Sequence, residues 1–305
     1  MENIAAHFLI LIYFLYALIC FIANAQDLLD DGGWSSQGLH HEGPCNIPVL
    51  DGRSLPLRYF LDRYAYSTPV VIRGVTDNTK FRSLCSKSSL LEEYGHRKVR
   101  LSTANTYSYT KVDVAFRKYV DNLLRPQSLD VLGSDTLYFF GDNNLTEWQN
   151  LFDVYKPPPF LLPGTSRAYS FGIAGAGTGV PFHWHGPGYS EVIYGRKRWF
   201  LYPPDKQPHF HPNSTTLSWL TDTYPNLPVD EAPLECTIRP GEVDIGVVFW
   251  VSLFEGAFLP RPLVARHAQP GHQRLHVHFP GMKTWNDVIM SSTQDMYTCM
   301  YACIN

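Results

Sequence analysis

Apolar residues recur at helical spacing in three early stretches of the chain and at strand spacing in much of the remainder. Leu57, Phe60, Leu61 and Tyr64 share one helical face, with Ser54 as a cap and Pro56 in the first turn, so a short helix is predicted from Ser54. The spacing returns at Ser89 to Tyr94, and Val114 to Leu124 predicts a second amphipathic helix carrying Phe116, Tyr119, Val120, Leu123 and Leu124. Strands are expected at Pro69 to Val75, Val99 to Thr103, Leu137 to Phe140, Tyr169 to Ile173 and Leu234 to Arg239, the last turning at Pro240-Gly241. Ser214 to Leu220 reads as a short helix, and Pro157 to Pro159 as a rigid extended loop. The glycine cluster from Gly172 to Gly179 reads as a flexible turn, because no Lys-Ser/Thr comes after it to make a phosphate loop. Short helices and then closely spaced strands predict an α+β fold built round a double-stranded β-helix.

One stretch carries candidate chemistry: PFHWHGPGYSEVIYGRKRWFLYPP, from Pro181 to Pro204. On a strand, residues two apart point to the same face, so His183 and His185 can converge on one ion while Trp184 faces away. A tight turn at Gly195-Arg196 leads into a strand that stops at Pro203-Pro204. Alternation along Arg196-Lys197-Arg198 predicts one inward and two outward side chains. Lys197 then sits where a buried ammonium meets a carboxylate, or else snorkels to solvent. His209 and His211 share the spacing but lie in a Pro-flanked loop and read as surface, and Glu191 is expected away from the histidine pair. Cys236 reads as a buried strand thiol. Cys299 and Cys303 would coincide on a helix, yet two cysteines alone are a poor zinc signal.

The same stretch resembles the first metal-binding motif of the JmjC, cupin-like oxygenases, where His-x-Asp/Glu is followed by Gly-x-Lys-x-Trp-x-Leu-x-Pro-Pro. PVVIRGVTDN, VRLSTANTYSYTKVD, DTLYFFGDNNLTEW and PLECTIRPGEV extend the resemblance from Cys45 to Val243. It implies a jelly-roll, cupin-like JmjC barrel over residues 45–243 that uses Fe(II) and 2-oxoglutarate, with Lys197 anchoring the far carboxylate of the cosubstrate. Two departures weaken the metal site. His185 stands in the carboxylate slot, which leaves the ion less compensated although imidazole is a competent ligand. The remaining histidine, about ten residues past Pro240-Gly241-Glu242-Val243, is absent: its slot falls near Ser252, and no histidine lies between His211 and His267. Closure would need a distant donor such as His267, His272, His276 or His278.

The expectation is therefore a degenerate oxygenase site in a non-catalytic regulator. The resemblance implies a positive influence on inflammatory signalling through tumour necrosis factor and NF-kappa-B. Two readings stay open beside it: an active Fe(II)/2-oxoglutarate-dependent protein hydroxylase, and a small-ligand cupin module.

Compartment is read from the N-terminus. Residues 1–25 form an apolar run ending Ala23-Asn24-Ala25, which matches a signal-peptidase site; the alternative is a retained membrane anchor. Residues 26–44 are polar and Gly-rich and read as a linker. Sequons at Asn144 and Asn213 agree with the secretory pathway, and the resemblance implies the endoplasmic reticulum lumen. Once Cys20 is removed with the signal, five cysteines remain, and a Cys45–Cys85 bridge is expected with connectivity left open. A formal net charge of −3 without a long basic run disfavours nucleic acid, so protein partners are expected.

Residues 244–305 do not resemble the family. Val247 to Phe254 is apolar enough to act as a substitute strand. The Pro- and His-rich sequence after it reads as unintended frame or intron sequence, from an altered splice form or gene prediction, rather than as a metal-binding tract. A barrel with altered final strands would expose backbone edges.

Overall fold

A computed structural model of the chain describes residues 31–34, 42–103, 110–132, 137–140, 144, 146–160, 162–163, 169–180, 182–185, 188–203, 205–211, 213–246, 249–252 and 299–301. The signal or anchor segment and His267 to His278 lie outside the described residues. Among those described, no helix is long and apolar enough to cross a membrane.

The strands run β1 (Val49–Asp51), β2 (Val70–Arg73), β3 (Lys98–Thr103), β4 (Lys111–Ala115), β5 (Leu137–Phe140), β6 (Gly172–Ile173), β7 (His183–His185), β8 (Gly188–Val192), β9 (Lys197–Tyr202), β10 (Leu234–Ile238), β11 (Glu242–Gly246), β12 (Phe249–Ser252) and β13 (Cys299–Tyr301). They make a five-stranded sheet β1-β2-β11-β8-β13, a four-stranded sheet β10-β9-β12-β7, and a second four-stranded sheet β4-β3-β5-β6. The fold is mixed α and β, and the described strands form no closed barrel.

Three apolar clusters form among the described residues. Val71, Val192, Trp199, Leu201 and Ile238 pack between the first two sheets, joined by Tyr138 and Phe140 of β5. Val70, Ile72, Tyr189, Val243 and Ile245 point the other way, into a large cluster with Phe60, Phe81, Leu90 and Trp148. Phe182, Phe200, Tyr202 and Trp219 make the third cluster, on the outer side of β9. All six residues of β9 are therefore buried, which an isolated amphipathic strand would not be.

Several expected elements shift. The helix expected over Val114 to Leu124 begins later, because Val112 and Val114 belong to β4 and pair with Leu101 and Val99. β-Branched side chains favour that pleated surface. Helix Phe116–Lys118 and a π-helical turn, Tyr119–Leu123, come next. Ser54 does not cap the first helix: its hydroxyl donates to the Asp51 carbonyl, and the helix is Leu57–Arg63 with Pro56 as the residue before it. Ser86 does cap, accepting from the Ser89 amide at the start of helix Lys87–Tyr94. Thr215 caps helix Thr216–Ser218 in the same way. The glycine cluster is a tight buried turn rather than a flexible one: a Cβ on Gly175 would fall 2.1 Å from the Arg125 carbonyl oxygen. Backbone contact, not mobility, requires that glycine.

Parts of the stretch expected as linker are docked. Trp34 is buried and donates its indole N–H to the Cys85 carbonyl. Glu42 pairs with both Arg196 and Arg239. At the other end, β11 crosses the point where the resemblance stops, and β12 supplies the substitute strand, hydrogen-bonded between β9 and β7.

Candidate functional site between two sheets

Register fixes which strand positions share the inner face. Val251 of β12 is opposite His183 on one side and Leu201 on the other, and Phe249 is opposite His185. Cross-strand partners lie on one face of a sheet, and residues two apart alternate back to it. Positions 183 and 185 thus share the face of Leu201, Trp199 and Lys197.

Lys197 is fully buried, so the snorkelling alternative is overturned. Its Nζ stands 3.7 Å from the centre of the Trp199 ring, two residues along the same strand. An ammonium over an indole face is electrostatically favoured. The Nζ also donates to Ser190 Oγ on β8, at 3.1 Å, across the space between the sheets. Directly opposite Ser190, on β11, is Asp244. Asp244 is buried, and one of its carboxylate oxygens, Oδ1, has no hydrogen-bond partner among the described residues. Burial pushes its carboxyl from 3.8 up to about 7, while the charge of Lys197 pulls it down.

Sequence reading missed Ser190, Asp244 and Trp199 as members of this group. A usable signal existed for Asp244: it is an acid inside the apolar run that leads to Trp250. Ser190 needed the β8–β11 register, which no local pattern supplies.

The metal donors fit poorly. The inner-face positions of β12, opposite the two histidines, carry Phe249 and Val251, and Ser252 falls on the alternate face. None of these is a usual ligand for a divalent iron centre, which takes two histidines and a carboxylate. Glu191 faces away from the group, as expected. It accepts hydrogen bonds from Thr76, Asn78 and Tyr155 at 2.7–3.2 Å, and burial pushes its carboxyl up.

The other candidates separate. His209 sits at the surface 2.7 Å from Glu231, and His211 is exposed and accepts from the Asn213 amide. Asn144 and Asn213 are both exposed. Cys299 begins β13 rather than a helix, and Cys303 lies outside the described residues.

Two corrections concern charge and sulfur. Arg198 takes the outer face of β9 as alternation predicts, yet it is buried there and paired with Glu235 at 2.6 Å, because helical segments roof that face. Arg196 is also largely covered and pairs with Glu42. The expected Cys45–Cys85 bridge is replaced by Cys45–Cys236. Asn46 explains the exchange: its amide donates to the Glu235 carbonyl and its side-chain Oδ1 accepts from the Glu235 amide, so Cys45 is laid along β10. Cys85 is a free, fully buried thiol whose pKa burial pushes up.

Comparison with known proteins places the chain. No family model matches it. It is 60% identical to JmjC domain-containing protein 8 of Homo sapiens over 234 residues, covering 75% of this chain and 87% of that protein. The Mus musculus protein of the same name is 56% identical over 243 residues, covering 77% of this chain and 88% of its own length. More distantly, it is 26% identical to Lysine-specific demethylase JMJ21 of Arabidopsis thaliana, over 62% of this chain but 22% of that protein. With a β9 lysine, a His-x-His strand and these shares of identity, the chain belongs to the JmjC family, alongside JmjC domain-containing protein 8.

Proposed function

We propose that this chain is a lumenal JmjC protein with a cupin-like core that acts by binding and regulation rather than by oxidation. One observation carries the reading: the strand paired with β7 offers Phe249 and Val251 where a third metal donor is needed. Two imidazoles on one strand leave an iron centre short of ligands and short of negative charge. An oxygenase chemistry therefore has no complete donor set among the described residues, and signalling regulation falls to protein contacts.

Support for the compartment comes from the Cys45–Cys236 bridge and from the exposure of Asn144 and Asn213. Disulfides persist in oxidising compartments, and N-glycosylation requires surface asparagines. The small-ligand cupin reading draws on a different observation, the buried Lys197–Ser190 pair.

Metal analysis of the purified mature protein, combined with a 2-oxoglutarate turnover assay, tests the reading. The expected result is substoichiometric iron and no succinate. Stoichiometric iron, with succinate formation that His183→Ala abolishes, would overturn it.

A further inference from the structure

A buried ammonium needs a counter-charge, and the facing sheet carries one. Lys197 is fully buried on β9 and already reaches across to Ser190 Oγ, 3.1 Å away. Ser190 and Asp244 are register partners between β8 and β11, so the two side chains occupy opposite positions on the same inner face. Its other register partner is the apolar Val71. Asp244 is 3% exposed, and its buried Oδ1 accepts no hydrogen bond among the described residues. The attraction of Lys197 acts on this carboxyl.

We infer that Asp244 is the built-in counter-anion of Lys197 and closes this interior position to small carboxylates supplied from solution. The inference concerns the same interior as the proposed function and rests on the inward placement of Lys197, not on whether metal binds. An incoming dicarboxylate would set a like charge beside Asp244. One of the two carboxyl groups would then have to take a proton or give up the ammonium. Both alternatives weaken binding, and burial of Lys197 and Asp244 leaves the repulsion little screened. The resemblance to JmjC sequences runs to Val243, so Asp244 is the first residue of the divergent segment. That segment does more than omit a histidine: it brings its own acid to the lysine.

The test compares full-length wild type, Asp244→Asn, and Asp244→Asn combined with Lys197→Met, each titrated calorimetrically with 2-oxoglutarate and with succinate about one and a half pH units above the Asp244 pKa of about 7, where its carboxylate is ionised. Asp244→Asn should bind both diacids at least tenfold more tightly than wild type, and the added Lys197→Met should abolish the gain. Asp244→Ser serves as the second variant if the amide does not fold. As a measurement on the unmodified carboxylate, carbon-13 NMR of Asp244 should show its pKa rise when Lys197 is changed to Met. Equal diacid binding by wild type and both Asp244 variants overturns the inference and leaves the non-oxidising reading intact, as does an Asp244 carboxyl that titrates identically with and without Lys197. Succinate formed from 2-oxoglutarate by Asp244→Asn alone would overturn the non-oxidising reading and support the inference.

Discussion

Arg198 and Glu235 form an ion pair with nitrogen and oxygen 2.6 Å apart and each side chain 4% exposed. A second contact from Arg198 Nε, at 3.1 Å, makes the grip two-pronged. The Tyr224 hydroxyl donates to the other carboxylate oxygen, and the guanidinium lies over the Phe200 and Tyr224 rings. The pair ties β9 to β10 beneath the helical segment that carries Trp219.

Removing one partner leaves the other charged and buried. Glu235→Ala or Arg198→Ala is expected to lower unfolding free energy by roughly 3–5 kcal/mol, whereas replacing both with apolar residues of similar volume should cost much less. Urea unfolding of the two single variants and the double variant measures this. Additive single losses would contradict the pairing.

Cys45 and Cys236 are 191 positions apart, so their bridge encloses most of the folded chain. Cys236→Ser is expected to cost roughly 2–5 kcal/mol, the usual loss for a native disulfide. Non-reducing peptide mapping should recover a Cys45–Cys236 peptide and leave Cys85 unmodified until the protein unfolds. A Cys45–Cys85 peptide would contradict the assignment.

Asp244 gives stability a pH dependence. Its folded-state pKa, about 7, lies above the ordinary 3.8, so folding favours the neutral acid. That contribution is fully present below about pH 4 and is lost as pH rises through about 7. Glu191 is moved in the same direction by burial. Each tenfold change in proton affinity is worth roughly 1.4 kcal/mol, so Asp244 alone has an effect large enough to detect. Relative to Asp244→Asn, wild type should lose stability steadily between about pH 4 and pH 7. Chemical denaturation across that window checks it, and a constant difference between the two proteins would refute it.

Exposure of Asn144 and Asn213 predicts two glycans when the chain is made in the secretory pathway. Each Asn→Gln change should remove one step of mobility on a gel, and peptide N-glycosidase should collapse wild type and variants to one band. Failure of either single change to shift the band would remove that site.

Alternation made the inner face of β7 and β9 legible, because His183, His185 and Lys197 keep period two within short strands. Arg198 was not legible. Alternation says which face a residue takes, but not that Phe182, Trp219 and Tyr224 cover the outer face as well. The mixed helix and strand content and the substitute strand near Val247 could be read from local apolar spacing. The partner of Cys45 could not, since it depends on Asn46 lying against Glu235, far away in sequence. The apolar spacing expected as a helix took in Val114, and only the pairing of Val112 and Val114 with β3 assigns that start to a strand. Register between distant segments set the features that stayed hidden.

The long span of the Cys45–Cys236 bridge imposes an order on biosynthesis. Synthesis runs from the N-terminus, so Cys45 and Cys85 emerge together long before Cys236 exists. Early oxidation would join the wrong pair, and thiol exchange would then be needed to release Cys45. Trp34, docked over the Cys85 backbone, belongs to the structure that buries this thiol. Because the cluster around Cys85 also takes in Val243 and Ile245, the packing that seals this thiol is completed only when the strand following Cys236 has been made.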